Sequence, residues 1–139
     1  MSDYPVLMHT ALDATNCRAL AEFYRQFLGL RYRPGDEIPA EGRDDDADWL
    51  VLVDQQGRRV LAFQRVPALS RPTWPEHDVP KQMHHDFRVP SIADLERQRQ
   101  RAEELGATLL YDRTADDSEP LYVLADPAGH PFCILVSSG

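Results

Sequence analysis

The sequence predicts an α+β fold built from two β-α-β-β-β modules, and three observations carry that prediction. Met8-His9 and Met83-His84 each enter a short run of alternating character, and the two histidines stand 75 residues apart. Each run leads into a helical pattern that stops at Leu-Gly, once at Leu28-Gly29 and again at Leu105-Gly106, 77 residues further on. After each stop come short β-prone segments separated by turn residues. Self-similarity at a nearly constant offset marks a duplicated module. In a chain of 139 residues the two halves are expected to share one core, because a module of half that length is marginal alone.

The elements follow in order. Val6 to Ala14 is strand-like and ends at Thr15-Asn16, residue types that favour a helix N-cap. Cys17, Leu20, Phe23, Tyr24, Phe27 and Leu28 then form one apolar stripe at helical period. Gly29 supplies the left-handed closure. Leu30 to Arg33 reads as a short strand, broken by Pro34-Gly35. Gly35 to Asp48 is acidic and poor in large apolar residues, so it is expected to be a mobile loop. Its Asp44-Asp45-Asp46 run lacks the Gly and terminal Glu of a calcium-binding helix-loop-helix site. Trp49 to Val53 and Val60 to Val66 read as a hairpin around Asp54-Gln55-Gln56-Gly57.

Pro67 to Pro80 holds four prolines and suits an extended linker. In the second module the predicted strands are Met83–Val89, Thr108–Tyr111, Leu121–Leu124 and Phe132–Val136. Ser91 and Asp94 have capping-box spacing, and Ile92, Leu95, Ala102 and Leu105 are the expected buried stripe of the helix between. The boundaries are module one at about 5–66, linker 67–82 and module two at about 83–137, in one domain spanning 1–139.

Composition narrows the partners. A net charge of −8 argues against nucleic acid and anionic lipid, which reward a basic face. The chain has no apolar run of about 18 residues, so no membrane span is expected. The opening Met-Ser-Asp-Tyr-Pro lacks the basic and apolar regions of a signal peptide, and the expected location is cytoplasmic. Cys17 and Cys133 then read as free thiols, with Cys17 on the buried helical stripe.

Side chains two apart on a strand share a face. His85, Phe87 and Val89 therefore pack on the helix, leaving His84, Asp86 and Arg88 on the opposite face. In the first module Met8, Thr10, Leu12 and Ala14 face the helix, and His9, Ala11 and Asp13 face away. The same parity puts Ala62 and Gln64, and Cys133 and Leu135, on the open faces. His85 is expected to be a core histidine and His130 to decorate a turn. Asp13 and Arg88, at equivalent positions, are either ligand contacts or an ion pair. Trp49, Trp74 and Tyr122 are available either as aromatic walls for a planar ligand or as core.

Several motifs carry a family resemblance across nearly the whole chain. They are Ala21-Glu22-Phe23-Tyr24 through Leu28-Gly29, Leu105-Gly106-Ala107, and Asp126-Pro127-Ala128-Gly129-His130-Pro131-Phe132. Together they resemble the vicinal oxygen chelate superfamily of glyoxalase I, bleomycin-resistance proteins and extradiol dioxygenases. Trp74-Pro75 leading to His84-His85-Asp86-Phe87 is similar to small glyoxalase-like proteins of unassigned function. The resemblance implies that the modules form one eight-stranded incomplete barrel around a cavity, and that the protein is a homodimer.

Metal-using members place a His in the first strand of each module and a carboxylate in each last strand. His9 and His84 match the histidines, but the acid positions fall on Cys133 and at about Ala62, so neither the usual octahedral site nor a two-His, one-carboxylate iron(II) triad can be assembled in standard form. Three readings follow. The first is a degenerate, metal-free site binding a small organic ligand, as resistance proteins of the superfamily do by sequestration, with His9, Asp13, Trp49, Gln64, His84, Asp86, Arg88 and Cys133 as candidate contacts. The second is a metal-dependent lyase, isomerase or dioxygenase holding Zn or Fe(II) on substitute ligands, for example zinc on His9, His84 and Cys133 with Asp86 or Gln64 assisting. The third is a metal-free enzyme whose protons are handled by His84 with Asp86 or Arg88. A pure interaction domain is the remaining alternative.

Overall fold

A computed structural model describes residues 3–137; Met1 and Ser2, the start of the run weighed against a signal peptide, lie outside them. The chain divides into two compact units between Leu69 and Ser70. In the first, β1 (Thr10–Ala14), α1 (Cys17–Leu28), β2 (Arg31–Tyr32), β3 (Trp49–Val53) and β4 (Arg59–Arg65) follow in order. In the second, β5 (His85–Val89), α2 (Ile92–Glu104), β6 (Thr108–Asp112), β7 (Leu121–Ala125) and β8 (Pro131–Val136) repeat that order. Each unit has one four-stranded sheet, ordered β1-β4-β3-β2 and β5-β8-β7-β6. First and last strands pair in parallel and the other neighbours antiparallel. This is the predicted α+β architecture of two β-α-β-β-β modules, with open rather than closed sheets.

α1 forms where its stripe predicts. The Asn16 side chain accepts from the Ala19 amide at 3.0 Å, and Gly29 closes the helix at φ 67. Cys17, Leu20, Phe23, Tyr24 and Phe27 are buried, and the Tyr24 ring stacks over Phe63 of β4 at 6.0 Å. Each such side chain removed from water contributes on the order of 1.5–3 kcal/mol. In the second unit Leu95 and Ala102 are fully buried against the sheet. Tyr122 of β7 faces α2, its hydroxyl bonded to Glu96 with the Arg99 guanidinium over its ring. Tyr122 is therefore core packing.

The structure differs from the sequence reading in three places. Val6, Leu7 and Met8 are exposed and precede the strand, which starts at Thr10, because β4 pairs with β1 only from Leu61 onward. Ile92 is 54 % exposed: it opens the helix at the first turn, where Ser91 caps the Asp94 amide, and points away from the sheet. The acidic segment 35–48 has no regular structure but is tied down. Arg18 donates to the Asp36 carbonyl at 2.6 Å and to the Asp45 carboxylate at 2.7 Å, and Asp36 accepts from the Val51 amide at 2.9 Å.

A small polar network fixes α1 to β2. Glu22 accepts from Arg25 at 2.6 Å and from the Tyr32 hydroxyl at 2.7 Å. The Arg25 hydrogen bond holds the Glu22 carboxyl below its usual range, against the opposing effect of burial. A depressed carboxyl contributes stability that is present above its unfolded value of about 4.5 and lost as pH falls through the folded value. Glu22→Gln is therefore expected to cost about 1 kcal/mol at pH 7, with the difference from the parent shrinking below about pH 4.5. Denaturant unfolding at pH 7 and pH 3 checks this; an equal loss at both would deny the ionised network its role.

Candidate functional site

The open face of the second unit is assembled by strand register. The parallel β5·β8 pairing sets Asp86 beside Cys133, and the antiparallel β7·β8 pairing sets Cys133 beside Val123. Arg88, Leu135 and Leu121 form the next row. Neighbours in register share a face, so Asp86, Cys133 and Val123 point away from α2, while His85 and Phe87 lie in the helix-facing rows with Phe132 and Ile134. The predicted parity holds here. His85 is half-buried and stacks on Phe87 at 6.0 Å.

Trp74, carried in by the proline-rich segment through a cis Trp74–Pro75 bond, packs on the Leu121, Val123 and Cys133 cluster. Its ring stacks on His84 at 5.2 Å, and the Lys81 ammonium lies 4.1 Å from the indole centroid. His84 Nε2 approaches Asp86 Oδ1 at 3.2 Å. The result is a concavity of about 660 Å³ with an apolar floor of Leu121, Val123, Leu135 and Cys133. Its rim carries His84, Asp86, Arg113 and Glu119, with Trp74 and Tyr111 as aromatic walls.

Tyr111, Arg113 and Glu119 were not legible as site residues. A β-bulge between Leu109 and Tyr111 pairs Tyr111 with Val123. Without it, simple alternation would set Tyr111 opposite Tyr122, on the helix side. Arg88 is exposed and does not line the concavity.

One ligand atom each from His84, Asp86 and Cys133 lie within 4.8 Å of one another, the only such His/Cys/Asp/Glu group among the described residues. The metal expected from the family's standard donors does not fit: the closing strands present Ala62 and Cys133 where carboxylates would stand, both buried. Asp86 comes from the opening strand and supplies an oxygen of different origin. A mixed nitrogen, oxygen and sulfur set suits zinc better than magnesium or calcium. Burial pushes the Cys133 thiol up to about 12, and the Asp86 carboxylate adds to this by charge and by hydrogen bond. Cys133 is a protonated thiol at neutral pH, unsuited as a nucleophile.

In the first unit the open-face rows are Trp49–Gln64–Asp13 and Val51–Ala62–Ala11. His9 precedes β1 and lies 5.7 Å from the Trp49 ring, with no hydrogen-bond partner at its buried Nδ1. Its pKa is lowered by burial first and then by the charges of Arg59 and Arg33. Gln64 lines a separate concavity with Asp48 and Arg65. His9, Asp13, Trp49 and Gln64 thus belong to the first unit, and His84, Asp86, Arg88 and Cys133 to the second.

Comparisons with known proteins agree with this architecture. A family model described as a glyoxalase-like domain matches residues 9–135. No curated protein matches the chain. A possible glyoxalase from Bacillus cereus is 18% identical with a TM-score of 0.62, covering 94% of this chain and 97% of that one. A glyoxalase/bleomycin resistance protein/dioxygenase family enzyme from Burkholderia phytofirmans is 17% identical with a TM-score of 0.63, covering 93% and 96%. A genomically encoded fosfomycin resistance protein from Listeria monocytogenes is 13% identical with a TM-score of 0.65, covering 97% and 95%. At these identities the likeness shows the fold alone.

The buried thiols yield a direct check. Both cysteines are buried and both thiols are raised, chiefly by burial, so a disulfide reagent at pH 8 is expected to label neither quickly in the native chain and both in denaturant. Asp86→Asn should speed labelling of Cys133 and leave Cys17 unchanged. Rapid native labelling of Cys133 in the parent would contradict its enclosure.

Proposed function

The chain belongs to the glyoxalase-like domain family of the vicinal oxygen chelate superfamily, and on that premise we propose that it binds a small organic molecule on the open face of its second unit, without a tightly held metal. The observation that carries this reading is the Trp74–His84 stack over the apolar floor around Cys133. A planar, oxygen-bearing ligand would lie against the indole and the Leu121, Val123 and Leu135 side chains. His84 and Asp86 would exchange hydrogen bonds with its oxygens, an apolar pocket with a few convergent polar groups being the usual form of such a site.

A panel of neutral planar aromatics, catechol and coumarin among them, tests the proposal. At least one is expected to quench Trp74 emission and raise the thermal midpoint, with both responses lost in His84→Ala while the unliganded midpoint is maintained. A full thermal shift retained in His84→Ala would sink the assignment.

A second reading is favoured by the convergence of His84, Asp86 and Cys133: zinc on these three donors, with a fourth position open for water or substrate. Elemental analysis of chain purified without chelators separates the two. Zinc far below one per chain is expected. Near-stoichiometric zinc that disappears in Cys133→Ala would replace the proposal with the metal reading.

A further inference from the structure

We propose that the first unit carries its own binding site for an organic anion, a carboxylate or phosphate head on an apolar body, in the concavity between β2 and the start of β4. This goes beyond the second-unit site and uses none of its residues. The concavity measures about 810 Å³ and is lined by Arg31, Arg33 and Arg59 around Val53, with Leu30 and Ile38 as further apolar surface.

Register explains how the arginines come together. Arg31 and Arg33 alternate along β2 and its extension, so they share a face: Arg31 pairs with Val53, and the Arg33 amide donates to the Val51 carbonyl at 2.9 Å. That is the face of the Val51, Val53 and Ala62 cluster, away from α1. Arg59 would lie on the helix side if alternation ran unbroken from Ala62 back along β4. The bulge at Leu52/Val53 instead pairs Arg59 with Val53, so Arg31, Val53 and Arg59 form one row across three strands. Bulges that re-aim a side chain in this way are common beside binding sites.

The charges in this row are not neutralised internally. Arg33 pairs with Asp36 at 3.0 Å and the neighbouring Arg25 with Glu22 at 2.6 Å. Arg31 instead donates to the Asp54 and Gln55 carbonyls, and Arg59 to the Met8 sulfur. Among the described residues neither has a carboxylate partner. The one acid lining the concavity, Glu37, is engaged by the Gly35 amide at 2.8 Å. In a chain of net charge −8, two unneutralised guanidinium groups flanking a buried valine form a fork for a planar or tetrahedral anion. The valine, Leu30 and Ile38 would receive the rest of the ligand.

Calorimetric titration of the full chain with phenyl phosphate, inorganic phosphate and phenol tests this. Phenyl phosphate is expected to bind the arginine concavity more tightly than inorganic phosphate, and any phenol response, which would come from the second unit, is expected to be unchanged in Arg31→Gln and Arg59→Gln. Arg31→Gln and Arg59→Gln should each weaken it about tenfold or more. Arg58→Gln, which removes the adjacent charge paired with Asp54 outside the concavity, should bind like the parent; if it weakens binding as much as Arg59→Gln, the effect is bulk charge and the site is refuted. An absence of saturable binding at millimolar phenyl phosphate would refute it too, as would unchanged affinity in the Arg31 and Arg59 variants.

Discussion

The parallel pairing of first with last strand inside each unit is the constraint on which the rest of this structure depends. A parallel pair requires a long crossover, and here the helix and two intervening strands supply it. Once β1 lies beside β4 and β5 beside β8, the helix can cover only one face of each sheet. The other face is left for chemistry. A slip of one residue in β5·β8 would turn Asp86 toward α2 and bring His85 beside Cys133. The half-buried Phe87 and the buried Phe132 and Ile134 oppose that slip, because it would move apolar side chains of β5 from the helix interface to water.

The two units share a topology but have diverged in electrostatics. The second unit's open face gathers a carboxylate, an imidazole and a buried thiol under one indole. The first unit's open face gathers guanidinium groups, and burial, with Arg59 and Arg33, lowers the pKa of His9. Positive charge around His9 disfavours a second cation there, whatever the identity of its imidazole as a potential ligand. A duplicated fold thus carries two open faces of different chemistry, apolar with an imidazole, a carboxylate and a thiol in one copy and rich in guanidinium groups in the other.

Much of this was legible in the residues. The α1 stripe, the Asn16 cap and the Gly29 closure are short-range signals with one low-energy solution, and α1 spans the stripe they marked. Strand parity correctly separated His84 and Asp86 from His85 and Phe87. The weaker α2 pattern misled at Ile92, where a first-turn position is free to point outward. Segment 35–48 read as mobile because it has little to bury. What ties it down are long-range groups, above all Arg18, whose partners lie 18 to 27 residues away, and the Val51 amide bonded to Asp36.

The sequence by itself determined the element order, the duplication, the faces of the first and last strand of each module and the absence of carboxylates at Ala62 and Cys133. These follow from periodicity and residue type, which act within a few positions of the chain. Tertiary structure decided the two bulges, which carry Tyr111 and Arg59 to the open faces. It also decided the landing of Trp74 on His84 and the enclosure that raises Cys133. A bulge reflects how two distant strands best satisfy each other's hydrogen bonds, and a pKa reflects what surrounds the group. Neither is a property of any local stretch of chain.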